Sequence, residues 1–171
     1  FLVGFVRGAI ARTALPFLQQ RFLKAPPPLR ALGAWALSAP DGGTVGSDTL
    51  RGRVWIAQVI AAGCLPGCRD RLEAQARLPE HLADLEHPVA QVTFVVPTSA
   101  ETALPHGLVA LAQGDWFALT GPPERLDAVV SSGLRAAMAS WARADAGADA
   151  LEFAAVSSFA LVDQNGEVRG F

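Results

Sequence analysis

Two cysteines and three histidines are all that the 171 residues offer as thiol or imidazole ligands, a poor basis for a four-ligand structural zinc centre. Several motifs are missing as well. There is no glycine-rich loop ending in lysine, no Gly-x-Ser-x-Gly and no His-Glu-x-x-His, so nucleotide binding, nucleophile-elbow hydrolysis and zinc proteolysis lack their parts. Charge is scarce and uneven: residues 1–30 hold five cations (Arg7, Arg12, Arg21, Lys24, Arg30) and no acid, which leaves −7 for the remainder. An acidic body has no basic face for a phosphate backbone, which argues against nucleic acid as a partner. The opening stretch, Phe1 to Leu18, is apolar but carries Arg7 and Arg12. It cannot cross a bilayer unaided, because a span takes roughly 20 mainly apolar residues. No internal repeat is evident.

What is present suffices for one substantial core, since 51% of the residues are hydrophobic, and a single domain is expected. The sequence opens abruptly and without methionine, so an upstream anchor or signal is expected, with the basic segment near a membrane surface. An amphipathic helix packed on the body or on a second copy is the alternative. Pro26-Pro27-Pro28 favours an extended spacer. It divides the chain into a basic apolar segment with its spacer, 1–28, and a domain over 29–171.

Short apolar runs then alternate with turns. Ala34 to Leu37 predicts a short strand and Asp41-Gly42-Gly43 a hairpin turn. Val54 to Ala61 is almost unbroken in apolar residues and predicts a central strand covered on both faces. Leu72, Ala76 and Leu82 have helical spacing, interrupted by Pro79, and Val89 to Val96 predicts a second buried strand. A helix between them makes a β-α-β unit with parallel strands. Glu101 to Gln113 is expected to be partly helical, and Leu126, Val129, Val130, Leu134, Met138 and Trp141 recur at the spacing of one packed helix. Phe159 to Val162 and Glu167 to Phe171, joined by Asp163-Gln164-Asn165-Gly166, predict a terminal hairpin. The class is α/β. This order, with thiols after the first core strand, is that of a thioredoxin-like fold: a central mixed sheet flanked by helices, with an N-terminal hairpin. Trp35, Trp55 and Trp141 are expected in its core.

The chemistry concentrates in Cys64-Leu65-Pro66-Gly67-Cys68. On a regular helix these cysteines would share a face with β-carbons roughly 5–6 Å apart, beyond the about 3.5–4.5 Å of an unstrained disulfide. Cys64 is therefore expected in the loop, bent back, with Pro66 suited to a first helical position and Gly67 supplying conformational freedom. Cys68 would lie in the first helical turn, where the helix dipole, assisted by Arg69 and Arg71, favours thiolate. Such a pair can exchange disulfides or hold a soft ion such as Cu(I). A static disulfide, or two inert thiols, is the structural alternative, although a five-residue loop closes little chain. His81 and His87, six apart, do not share a helix face. His106, in Pro105-His106-Gly107, is expected on a loop. All three histidines read as solvated surface residues, as do Asp145 and Asp149.

The Cys-x-x-x-Cys pair after the core strand resembles the Sco/SenC family of thioredoxin-fold proteins. Trp35-Ala-Leu-Ser-Ala-Pro-Asp41-Gly42, Leu50-Arg-Gly52-Arg-Val-Trp55, Asp115-Trp116-Phe-Ala-Leu-Thr120-Gly121 and Ser158-Phe159-Ala-Leu161-Val162-Asp163-Gln-Asn-Gly166 agree with it, from about Leu29 to Phe171. The resemblance implies a membrane-tethered, periplasmic or otherwise extracytoplasmic protein of the bacterial inner membrane. It would serve copper delivery or thiol redox in assembling the copper centre of cytochrome c oxidase. Its partners would be protein thiols or a copper-site protein such as an oxidase subunit, with the membrane reached through the N-terminal region. By the same analogy Trp116 borders the thiol site.

The chain also departs from the family. There a histidine shortly before the penultimate strand completes the copper site with the two cysteines; aligned on Ser157-Ser158-Phe159, that position is Ala155. The acidic loop after the second core strand reads Val96-Pro97, with Glu101 the nearest acid. The cis proline of general thioredoxins, expected near Ser157, has no counterpart, which favours the Sco branch. Two retained cysteines without the histidine point to a thiol-disulfide oxidoreductase in which Cys64 attacks and Cys68 resolves. One alternative is a copper chaperone with Cys64 and Cys68 as Cu(I) ligands and a third group from elsewhere, His106 being the least remote substitute. Cu(II), which prefers nitrogen-containing tetragonal sites, should bind poorly. The other alternative is a non-catalytic interaction domain with a vestigial pair.

Overall fold

Beyond the prolines the chain forms a two-residue edge strand, β1 (Arg30–Ala31), then the hairpin of β2 (Ala36–Ser38) and β3 (Thr44–Gly46). The hairpin turn lies at Asp41-Gly42-Gly43 as expected: Asp41 Oδ1 accepts the Gly43 N–H at 2.9 Å, and Gly42 supplies a φ of 81°. The computed structural model describes residues 27–64, 67–82, 88–98, 104, 106–145 and 159–171. The basic apolar segment over 1–26, His87, Glu101, Asp149 and Ala155 lie outside the described residues.

The apolar run from Val54 becomes β4 (Trp55–Ala61), which passes through a 3-10 turn, Ala62–Cys64, toward α1 (Arg69–Ala76). The helix expected through Leu82 breaks at Arg77. Pro79 has no N–H to donate to a continuing helix, and it sits instead in the first turn of a separate α2 (Leu78–His81). Then follow β5 (Ala90–Val96), α3 (His106–Leu111), β6 (Trp116–Leu119) and α4 (Pro123–Val129). A π-helical segment, Val130–Arg135, leads into α5 (Ala136–Asp145), and β7 (Ala160–Val162) and β8 (Glu167–Gly170) close the chain. Two expectations change here. His106 opens a helix rather than sitting on a loop, and the helix predicted from Leu126 to Trp141 is not uniform. The π segment contains the buried Gly133, where a β-carbon would come within 2.8 Å of Leu32 Cδ2.

The strands of the main sheet run in the order β1-β8-β7-β4-β5-β6. β4 and β5 are parallel, in register from Trp55↔Ala90 to Ala61↔Val96, as the β-α-β reading requires. β7 pairs antiparallel with β4, so the sheet is mixed. β6, parallel to β5, was not anticipated as a strand: its four residues are too few to display alternation, and its pairing with Gln91 to Phe94 makes it one. The β2–β3 ribbon is tied to the sheet where Ser38 and Thr120 exchange backbone hydrogen bonds of 2.9 and 3.0 Å.

Strand alternation splits the core in two. Trp55, Ala57, Val92, Phe94 and Leu119 share one cluster with Leu126, Val129, Val130 and Leu134 of the α4–π layer. Trp35, Trp55 and Phe94 meet there with ring centroids 5.4–6.3 Å apart. The intervening residues Ile60, Val95, Trp116 and Ala118 share a second cluster with Leu72 of α1 and Leu108 of α3. Trp35 and Trp55 are thus core residues, as expected; the side chain of Trp141 lies outside the described residues.

Candidate functional site: the cysteine pair at the end of the central strand

β4 is flanked by β5 and β7, which fixes the direction in which the chain leaves Ala61. Cys64 ends the 3-10 turn, the Cys68 N–H donates to the Cys64 carbonyl at 3.1 Å, and Cys68 caps the N-terminus of α1. A β-carbon on Gly67 would lie 3.2 Å from the Cys64 carbonyl oxygen, so glycine suits this tight return. The two cysteines form a disulfide with α-carbons 5.6 Å apart. Cys64 therefore precedes the helix, as the geometric reasoning required, while Cys68 stands at the N-cap rather than within the first turn. Arg69 is exposed beside it, and Asp70 shares that turn.

The two residues are not equivalent. Cys68 is 5% exposed, within the cluster of Ile60, Ala62, Leu72, Val95, Leu108, Trp116 and Ala118, whereas Cys64 is half-buried at its edge. Trp116 thus shares the cluster that covers Cys68. An open cleft of about 580 Å3 adjoins the same end of the sheet between Val96-Pro97 and Pro123, Leu126 and Val130. Val96, one of its lining residues, is the pairing partner of Ala61.

The other sequence candidates stay apart. His81 is exposed at the end of α2 and His106 exposed at the start of α3. Among the described residues no three His, Cys, Asp or Glu side chains converge as a metal site. Asp145 ends α5. Once reduced, Cys64 and Cys68 would still offer two soft thiolates, a donor set that fits Cu(I).

Sequence reasoning missed a set of buried polar side chains on the α1 side of the sheet: Gln58 on β4, Gln91 and Thr93 on β5, and Gln75 on α1. Thr93 Oγ1 accepts the Trp116 Nε1–H at 2.9 Å and donates to Gln75 Oε1 at 3.3 Å. Glutamine inside two otherwise apolar runs was the available sign.

No protein-family profile matches the sequence, nor does any curated protein. Solved structures do. A SCO1/SenC family lipoprotein from Bacillus anthracis is 24% identical with a TM-score of 0.56, over 82% of this chain and 83% of that one. The Bacillus protein BsSco, a member of the Sco family of cytochrome c oxidase assembly proteins with a disulfide switch, is 20% identical with a TM-score of 0.55, over 84% of each chain. ScoI of Bradyrhizobium japonicum, solved with copper bound, is 16% identical with a TM-score of 0.55, over 80% of this chain and 85% of that one. The chain accordingly has a thioredoxin-like fold of the kind found in Sco/SenC proteins, with its cysteine pair at the end of the central strand.

Proposed function

We propose that this chain is a Sco/SenC-type protein that works by thiol-disulfide exchange through Cys64 and Cys68. The observation that carries this reading is the asymmetric disulfide where β4 meets α1: one residue half-buried, the other covered. An incoming partner thiolate attacks Cys64 Sγ, the S–S bond breaks, and its electron pair leaves on Cys68 as thiolate. Cys68 is positioned to receive that charge because the unpaired N–H groups at the start of α1 carry partial positive charge. A second partner thiolate then attacks the partner's own sulfur in the mixed disulfide and expels Cys64 as thiolate. The partner ends as a disulfide and this chain as a dithiol. Run in reverse, Cys64 attacks a partner disulfide and Cys68 resolves it, which keeps a partner's copper-binding thiols reduced. The likeness to BsSco and its disulfide switch supports this chemistry, and the copper-bound ScoI supports a second use of the reduced pair as Cu(I) ligands.

The same likenesses, one of them to a lipoprotein, support extracytoplasmic placement and a role in copper-centre assembly of cytochrome c oxidase as parts of this proposal. No helix among the described residues is long and apolar enough to cross a membrane. The basic segment ahead of the Pro-rich spacer is the part we assign to the membrane.

The test is trapping. With Cys68→Ser, the Cys64 thiolate should attack a partner disulfide, expel one partner sulfur as thiolate and persist as the mixed disulfide, whereas Cys64→Ser should capture at least about tenfold more slowly, because thiol exchange follows access as well as thiolate fraction. Equal capture by the two variants would reject the assigned roles.

A further inference from the structure

The buried amide of Gln75 has no evident place in a fold held by apolar packing. Its residue is 0% exposed, and its Nε2 has no hydrogen-bond partner among the described residues. Gln58 Oε1 and Gln91 Oε1, on the same side of the sheet, also lack one. An unpaired buried polar group costs about 1–3 kcal/mol, so an apolar side chain at position 75 would serve stability better. What Gln75 does have is one directed contact, with Thr93, which Trp116 in turn orients.

The helix links this contact to the cysteines. Cys68, Leu72 and Gln75 lie along one stripe of α1, since seven residues at 3.6 per turn return to within about 20° of the starting direction. The Thr93 hydroxyl therefore sets how α1 is rotated about its axis, and Cys68 lies at the other end of the same stripe.

We infer that Gln75 is a positioning residue for the cysteine pair, acting through its hydrogen bond to Thr93. This rests on the thiol-exchange reading above. In the oxidised protein the covalent bond to Cys64 also holds the start of α1. In the dithiol form the Gln75–Thr93 contact and apolar packing hold it alone. Losing the contact costs the oxidised form its full value, because the disulfide still holds the start of α1 in place, whereas the reduced form recovers part of the loss as α1 relaxes; the couple therefore shifts toward dithiol.

The experiment equilibrates wild type, Gln75→Met and Thr93→Val in dithiothreitol redox buffers, whose dithiol supplies two electrons and two protons as it closes to its cyclic disulfide. The oxidised and reduced fractions are counted by alkylation, and both forms are unfolded in urea. Each variant should favour the dithiol by up to about tenfold, which is about 30 mV less negative. The double variant should shift no further than Thr93→Val alone, because that substitution already removes the contact with Gln75 as well as the one with Trp116. Equal destabilisation of both redox forms with an unchanged potential, or a shift of opposite sign, overturns the inference and leaves the exchange function standing. A wild-type disulfide that dithiothreitol cannot open in the folded protein overturns the exchange function, and this inference with it. Thr93→Val removes little more than the hydroxyl's hydrogen bonds and carries the test if Gln75→Met does not fold.

Discussion

Reducing the Cys64–Cys68 bond should leave the protein folded and only modestly less stable. The bond joins residues four apart and so closes a loop of five. The loop-entropy relation, 2.1 + 1.5R ln n, gives about 7 cal/mol/K for such a loop, or about 2 kcal/mol at 25 °C, against about 4.7 kcal/mol for a loop of 100 residues. For a chain of this size each kcal/mol moves the melting temperature by about 2–4 °C, so reduction should lower Tm by about 4–8 °C. The apolar cluster around Cys68 draws on β4, β5, β6, α1 and α3 and does not depend on the crosslink. Thermal unfolding followed by circular dichroism, with and without a phosphine reductant and with free thiols counted in the same samples, measures the effect. The double variant Cys64→Ser/Cys68→Ser should match the reduced wild type. A fall of more than about 15 °C, or loss of the cooperative transition, would identify the bond as a staple worth about 5 kcal/mol. A bond that holds the fold together could not open in every catalytic cycle.

Two further outcomes are expected. In competition with a chromophoric chelator, the fully reduced protein should take up Cu(I) only weakly, because no third His, Cys, Asp or Glu joins the cysteines among the described residues; one tightly held ion that Cys64→Ser abolishes would put the carrier reading ahead. Asp163→Ala should cost about 2–3 kcal/mol, since Asp163 Oδ1 accepts the backbone N–H of Asn165 and Glu167 and Oδ2 accepts Arg169 Nε at 2.7 Å, with only 18% of the side chain exposed. Burial pushes this carboxyl up, but those backbone donors and the Arg169 guanidinium outweigh it and hold its pKa below the usual carboxylate range. Its charge-linked stabilisation is therefore complete above about pH 4 and disappears as pH falls through the lowered value. Urea unfolding should show the difference between wild type and variant narrowing in acid; a gap that widens there contradicts the assignment.

The elements legible from sequence were those specified locally. Val54 to Ala61 and Val89 to Val96 are predominantly apolar runs, and Asp41-Gly42-Gly43 and Asp163-Gln164-Asn165-Gly166 carry their turn chemistry within four residues. β1 and β6 were not legible, because strands of two and four residues exist through their neighbours: β8 for one, β5 for the other. His106 moved from loop to helix for a related reason, since Leu108, two residues on, is drawn into the cluster with Leu72 and Trp116. The amides of Gln58, Gln75 and Gln91 could be counted in the sequence, yet nothing local places them on one side of one sheet.

The cysteine pair divides the same way. That two thiols stand close together where a core strand ends is a property of the chain itself, because three intervening residues with a proline and a glycine permit little else. Which of them is accessible is not. Cys68 is covered by Val95, Leu108 and Trp116, which lie 27 to 48 positions away in sequence and come from β5, α3 and β6. The order of attack and resolution thus depends on packing between elements that have no local relation to Cys64 or Cys68.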